Sequence, residues 1–255
     1  MRWDLVCSRS WVPRAVQMIF FVGNFIGVLV AGVLSDRFGR KYVYMGFLTT
    51  WIIFGVAGGL VGNLYAWIIC RFVCGACSLA YNTVYAVFAV ELTHGKWRSI
   101  LGHLFGELVW NVGVLTLGGL VYGVRNMSHL EIVIGLSCVP WLPLWYFLFE
   151  SPRWLLAKGR KREANAVLQA ACKHNRQHGK DKELDEFIYE FTHHVEHETA
   201  GFADLFRTPA IRRNTVIMSF CWLSFSMGYF GLLYNTPALE WNMFLVFVFP
   251  SIIVR

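Results

Sequence analysis

Two long charge-free runs separated by seven residues constrain this chain more than any other feature. Residues 15–34 contain no Asp, Glu, Lys or Arg, and residues 42–70 contain none either. A hydrocarbon core needs roughly 20 apolar residues per spanning helix. Between the runs lies Ser35-Asp36-Arg37-Phe38-Gly39-Arg40-Lys41, with one acid and three bases. It reads as a tight charged turn at a membrane surface, joining two spanning helices. In lipid the backbone must satisfy its own hydrogen bonds, and these runs lack strand alternation. The expected class is therefore all-α, a polytopic membrane helical bundle.

Composition supports this. Charged residues are 15% of the chain, where soluble domains carry about 25%. The net charge of +7 does not point to nucleic acid, because the basic residues flank apolar runs instead of forming one face or stripe, as membrane orientation requires. No N-terminal stretch has the pattern of a cleaved secretory signal, so the first span is expected to act as its own insertion signal.

Spans are expected at 15–34, 42–61, 64–90, 100–121, 132–149 and 214–234, with 241–254 as part of a seventh. The run from 42 splits at Gly62-Asn63, a turn pair. With the N-terminal segment outside, the inner loops 35–41, 91–99 and 150–213 hold 17 Lys and Arg. The outer segments hold only Arg2, Arg9, Arg14 and Arg125. The long loop counts mainly at its edges, and Arg153, Lys158, Arg160, Lys161, Arg162, Arg207, Arg212 and Arg213 lie there. The expected organisation is an outer segment at 1–14, five spans of a first bundle at 15–149, a cytoplasmic inter-bundle loop at 150–213, and the start of a second bundle at 214–255. Leu184, Phe187, Ile188 and Phe191 suggest short amphipathic helices in the loop. Gly23/Gly27, Gly58/Gly62 and Gly102/Gly106 have the spacing that lets helices approach closely in lipid.

Charges within these runs are the chemical candidates. Asp36 is expected at a helix end, with Arg37, Arg40 and Lys41 bridging to neighbouring helices. Glu91 ends the third span, and Arg98 follows seven residues later. Arg71 lies inside a span, where charge is costly and usually faces the protein interior, although snorkelling to the interface is the alternative. Glu107 shares a face of the fourth span with His103 and Asn111. It is either a cavity residue or one of a hydrogen-bonded pair between helices. Cys70, Cys74 and Cys77 read as small apolar side chains on a helix face. His193, His194 and His197 with Glu196 and Glu198 read as a solvated face, not a metal site. Asn126-Met127-Ser128 fits a glycosylation acceptor, expected to be unmodified so close to the membrane. There is no phosphate-binding loop, nucleophile elbow or metal-ligand spacing, so no enzyme activity, catalytic residue, metal or cofactor is expected.

The stretch Gly32-x-Leu34-x-Asp36-Arg37-x-Gly39-Arg40-Lys41 fills every position of a loop signature of the major facilitator superfamily, which it resembles. Glu150-Ser151-Pro152-Arg153-Trp154-Leu155-Leu156, with the spacing of Arg71, Glu91 and Arg98, resembles its sugar-porter and organic-ion branch. Trp3-Asp4-Leu5-Val6-Cys7 and Tyr229-Phe230-Gly231-Leu232 are similar to segments of the organic cation and anion transporters. That resemblance implies twelve spans in two pseudo-symmetric halves, with an organic-ion site between them. The first span here would correspond to the family's second and the last to part of its eighth, as in a truncated member.

The resemblance further implies transport of small organic ions by alternating access at the plasma membrane. Asp36, Arg37, Arg40, Lys41, Glu91, Arg98, Glu150 and Arg153 would form an inner gating network. Arg71, Glu107, Asn111, Trp222 and Tyr229 would line the cavity, with Tyr234 nearby. The family's eighth span commonly carries an acid two positions before a proline, where this chain has Val248 before Pro250. Implied partners are a small organic ion and the lipid bilayer, with no nucleic acid. The alternatives are a non-transporting membrane protein that pairs with a full-length paralogue, and a sugar-porter-like carrier.

Overall fold

The computed structural model describes residues 11–93, 95–100, 105–124, 126–175 and 206–235, and among them every regular element is helical. Three long helices come first: α1 (Val12–Phe38), α2 (Arg40–Leu60) and α3 (Leu64–Leu92). Short α4 (Lys96–Ser99) and longer α5 (Phe105–Gly123) follow. Next are α6 (Met127–Ser137), a 3₁₀ turn (Val139–Trp141) and α7 (Leu144–Phe147). The last are α8 (Pro152–Ala157), α9 (Lys161–His174) and α10 (Pro209–Asn235). Among the described residues Val12–Phe38, Arg40–Leu60, Leu64–Leu92 and Met127–Phe147 are long and apolar enough to cross a membrane, and Leu108–Gly123 is a shorter apolar stretch.

Local chemistry sets the boundaries. The Asn63 side chain accepts from the Tyr65 N–H and caps α3. Asn126 accepts from the Ser128 N–H and caps α6. Ser151 accepts from the Trp154 N–H at the start of α8, with proline in the first turn, where its missing N–H costs nothing. Pro140 and Pro143 interrupt the span that begins with α6, because proline cannot donate to the helical ladder.

Helices α1–α3 and α6–α9 belong to one compact unit, and α10 to another. In the first unit α1 lies against α3 with backbone touching backbone. A Cβ on Gly23 would run into the Phe72 carbonyl, and one on Gly27 into that of Ala76. Such contact is how spanning helices associate when lipid supplies no hydrophobic drive. Ala31, Val43, Ala80 and Val84 form a small core between α1, α2 and α3. Met45, Leu48 and Ile52 on α2 pack against Cys138, Leu142, Trp145 and Leu148. Trp154, Leu155, Leu156 and Ala164 form a separate core for α8 and α9. Met18, Phe25, Val33, Ile53 and Ile69 point outward from the bundle, as lipid-facing side chains do.

Two expectations need correction. The charged turn is not a loop: α1 runs through Asp36 and Arg37 to Phe38, and α2 begins at Arg40. Only Gly39 separates them, at φ 104°, where an L side chain is strained. The sequence places the fifth span at 132–149, just after the charge of Glu131. Its helix begins at Met127 instead and includes Glu131, whose charge is neutralised inside the bundle (below). The other expected spans fall on α2, α3, α5 and α10 with shifted ends. Of the glycine pairs, Gly62 and Gly106 face open space and Gly102 lies outside the described residues. So do 1–10, 176–205 and 236–255, with Cys7, the His193 cluster, the apolar loop residues 184–191, and Val248 and Pro250.

Candidate functional site

At the Gly39 end of the first unit, the termini of α1, α2, α3 and α8 bring acids and bases together. Arg40 opens α2, and its guanidinium reaches two helices. Nη1 lies 2.8 Å from Asp36 Oδ1 and donates to the Ser35 carbonyl at 2.8 Å. Nη2 donates to Glu91 Oε1 at 3.2 Å. The side chains of Arg40 and Glu91 are only 12% and 14% exposed, whereas Asp36 is 74% exposed. Arg40 Nε and Glu91 Oε2 are buried without a hydrogen-bond partner.

Glu150 completes the cluster from the segment before α8. Its Oε1 accepts from the backbone N–H of Arg40 at 2.9 Å, of Lys41 at 3.1 Å and of Ser151 at 3.0 Å. A carboxylate there satisfies orphan donors of the α2 terminus and meets the positive end of its dipole. Gly39 is required for this approach, since a Cβ would collide with the Glu150 carboxylate. The Trp154 indole donates to the Asp36 carbonyl at 3.0 Å and ties α8 to the end of α1.

Not every expected member joins. Arg37 lies over the Phe38 ring at 5.4 Å and is exposed. Lys41 joins through its backbone, while its ammonium stands 5.1 Å from the centre of the Trp145 ring. Arg98 and Arg153 are exposed and form no ion pair among the described residues, so Arg40, not Arg98, is the partner of Glu91. The arrangement can lock several helix ends together, and it can open without breaking a covalent bond.

Towards the opposite end of α3, Arg71 has a partner that sequence reasoning missed. Its Nη2 lies 2.6 Å from Glu131 Oε1 on α6. The Trp67 indole donates to the same carboxylate at 3.0 and 3.1 Å, and the guanidinium stands over the Trp67 ring at 5.2 Å. A signal for this was available. Arg71 lies eight residues after the Asn63 turn and Glu131 five after the Asn126 turn. At about 1.5 Å per residue, the two groups sit within about one helical turn of the same depth.

The other cavity candidates are not brought to this cluster. Glu107 and Asn111 are one turn apart on α5, with the Glu107 side chain and His103 outside the described residues. Trp222 on α10 is exposed and meets Phe225 edge to face at 6.1 Å. The side chains of Tyr229 and Tyr234 lie outside the described residues.

Known proteins share this sequence pattern and fold. The profile of a family described as "Sugar (and other) transporter" matches residues 10–240. The chain is 30% identical over 253 residues to an organic cation transporter protein of Drosophila melanogaster, covering 96% of this chain and 46% of the relative. A beta-alanine transporter of the same organism is 32% identical, covering 95% and 42%. Human solute carrier family 22 member 2 is 30% identical, covering 98% and 44%. The chain thus spans a little under half the length of these relatives. Among solved structures, the major facilitator proton:xylose symporter XylE bound to 6-bromo-6-deoxy-D-glucose superposes with a TM-score of 0.74 at 19% identity. The match covers 91% of this chain and 54% of that one, which establishes a shared fold.

Proposed function

The chain belongs to the sugar (and other) transporter family of the major facilitator superfamily, and from that membership we propose that it is part of a carrier for small organic ions. It is an integral membrane protein with homologues among the organic cation and anion transporters. In this reading it moves its substrate by alternating access, driven by gradient, potential or exchange, and it is not an enzyme. The excess of Lys and Arg on the Gly39 side supports a cytoplasmic position for that end and an external N-terminal segment. The plasma membrane is the proposed location.

The observation that carries the reading is the Arg40 cluster. It joins the ends of α1, α2 and α3, and Glu150 joins them to the segment before α8. Ion pairs at helix ends have two discrete arrangements, made and broken, which an access switch needs. We assign Asp36, Arg40, Glu91 and Glu150 to the inner gate. Arg71, Trp222 and Tyr229 are assigned to the substrate path, with Glu107 and Asn111 from α5.

The test is uptake into proteoliposomes of a quaternary ammonium cation and, separately, an aromatic carboxylate, by the chain alone and with a full-length relative. Saturable uptake that Arg40→Ala abolishes supports the gate assignment. Uptake only with the relative, plus co-purification of the two, favours a pairing role. No saturable uptake and no co-purification in any arm would sink the carrier reading.

A further inference from the structure

We propose that an anionic phospholipid binds a groove between α2 and the broken end of the α6–α7 span, with one acyl chain in the groove and its phosphate on Lys41. The groove has a volume of about 460 Å³ and is lined by Met45, Thr49, Val139, Leu142, Pro143, Trp145 and Tyr146. That volume falls within the range of roughly 300–1,000 Å³ typical of small-molecule sites. Its origin is local. Pro140 and Pro143 interrupt the helix after Ser137, and the groove lies where the 3₁₀ turn at Val139–Trp141 and the residues after it run beside α2.

The chemistry selects the occupant. The wall is mostly apolar: the Thr49 hydroxyl is already donated to the Met45 carbonyl at 2.7 Å, and the other side-chain polar groups are the Trp145 indole N–H and the hydroxyl of the largely exposed Tyr146. A polar metabolite would find few groups there to replace its hydration, whereas a hydrocarbon chain loses none. Above the wall stands the Lys41 ammonium, 5.1 Å from the Trp145 ring, with no ion pair among the described residues. Tyr42 packs edge to face on the same tryptophan at 5.1 Å. Tyr146 and Phe147 beside it are 86% and 76% exposed, as aromatic side chains are at the headgroup level. A cation with no ion pair among the described residues, beside an apolar slot and exposed aromatic side chains, matches a lipid that is anionic at one end and apolar at the other. The site also bears on the gate, because the Lys41 N–H bonds to Glu150. Lipid held at Lys41 would steady the terminus that Glu150 caps.

The proposal takes from the carrier reading only that the Gly39 end faces the cytoplasmic leaflet, where anionic lipids concentrate. Its test needs neither orientation nor transport. The purified chain and its Trp145→Phe variant are titrated in nonionic micelles with phosphatidylglycerol or phosphatidylcholine carrying brominated acyl chains. The difference between the two proteins isolates Trp145 quenching. Phosphatidylglycerol is expected to quench with about fivefold higher apparent affinity. Lys41→Gln should erase that preference and Lys41→Arg should keep it, with helicity by circular dichroism confirming the fold. Thr49→Phe, which fills the slot, should abolish quenching by both lipids. Equal quenching by both lipids in the unaltered chain would overturn the site and leave an ordinary lipid-facing surface. So would a preference that survives Lys41→Gln.

Discussion

Helix α3 carries one charge cluster near each end, and the two are built differently. Arg71 and Glu91 lie 20 residues apart, about 30 Å along the axis, close to the thickness of a hydrocarbon core. At the Arg71 end, one acid, one base and one indole close on each other, and both Glu131 oxygens are used. At the Glu91 end, Arg40 spreads across Asp36, Ser35 and Glu91 while its own Nε and Glu91 Oε2 stay unsatisfied. A closed pair resists opening, because separating it strands a charge at membrane depth. A spread and incompletely satisfied network has less to lose when it rearranges. The contrast makes the Arg71 pair the more rigid of the two, a clamp beside the proposed substrate path, and it fits the switch proposed for the Glu91 end.

The largest effect should come from breaking the clamp on one side. Glu131→Ala leaves the Arg71 guanidinium without a partner and is expected to cost about 3 kcal/mol, the low end for a broken buried pair because Arg71 is 36% exposed. Replacing both partners, Arg71→Met with Glu131→Leu, should recover most of that loss. Thermal unfolding of the chain in micelles measures both. If the double variant is no more stable than the single, the pair is not a closed unit and the contrast fails.

Next comes the contact that holds α3 between its two clusters. Gly27→Leu drives a side chain into the Ala76 backbone and is expected to cost about 2 kcal/mol, as overpacking does. Because α3 is one continuous helix from Leu64 to Leu92, crosslinking yields of cysteine pairs across both clusters are expected to fall together. A change at one cluster alone would show that the ends are mechanically independent.

Glu150→Gln tests whether the switch is anchored through backbone. The amide still accepts hydrogen bonds but loses the charge that meets the α2 dipole, a loss of about 1 kcal/mol. Amide hydrogen exchange should quicken at Arg40 and Lys41, while Tyr65, held by Asn63 at the other end, should not change. Equal acceleration at both sites would mean global destabilisation rather than a local anchor.

Much of this architecture is legible in the sequence, and the failures share one physical cause. Charge-free runs announce α1 and α2, since nothing else explains such length without charge, and α3 is legible from the Gly62-Asn63 turn and the apolar stretch on either side of Arg71. Reading a charge as a membrane boundary truncates α1 before Asp36 and starts the α6 span after Glu131. Charges paired with a neighbouring helix need not end a span, and that pairing is tertiary. Arg40, Glu91 and Glu150 were named from motifs. That Glu91 pairs with Arg40 and that Glu150 binds the backbone N–H groups of Arg40 and Lys41 depends on helix ends meeting in space. Nothing in the sequence singles out Trp67, whose indole finds Glu131 only because α3 and α6 pack together.

The smallest expected effect discriminates most finely within the switch. Asp36 and Glu91 both touch Arg40, at 2.8 and 3.2 Å, so distance alone would rank Asp36 first. Exposure reverses the order: water and salt screen Asp36, and exposed pairs are worth less than about 1 kcal/mol. Asp36→Asn should therefore change stability by no more than about 0.5 kcal/mol, and even that should fade at high ionic strength, where the screening length shortens to about 3 Å at 1 M. Glu91→Gln should cost more, because Arg40 is itself nearly buried and loses its sheltered counter-ion. That larger cost should persist in high salt. Unfolding of both variants at two salt concentrations makes the comparison. If Asp36→Asn proves the costlier of the two, the network is centred on the membrane surface and Glu91 is only its neighbour.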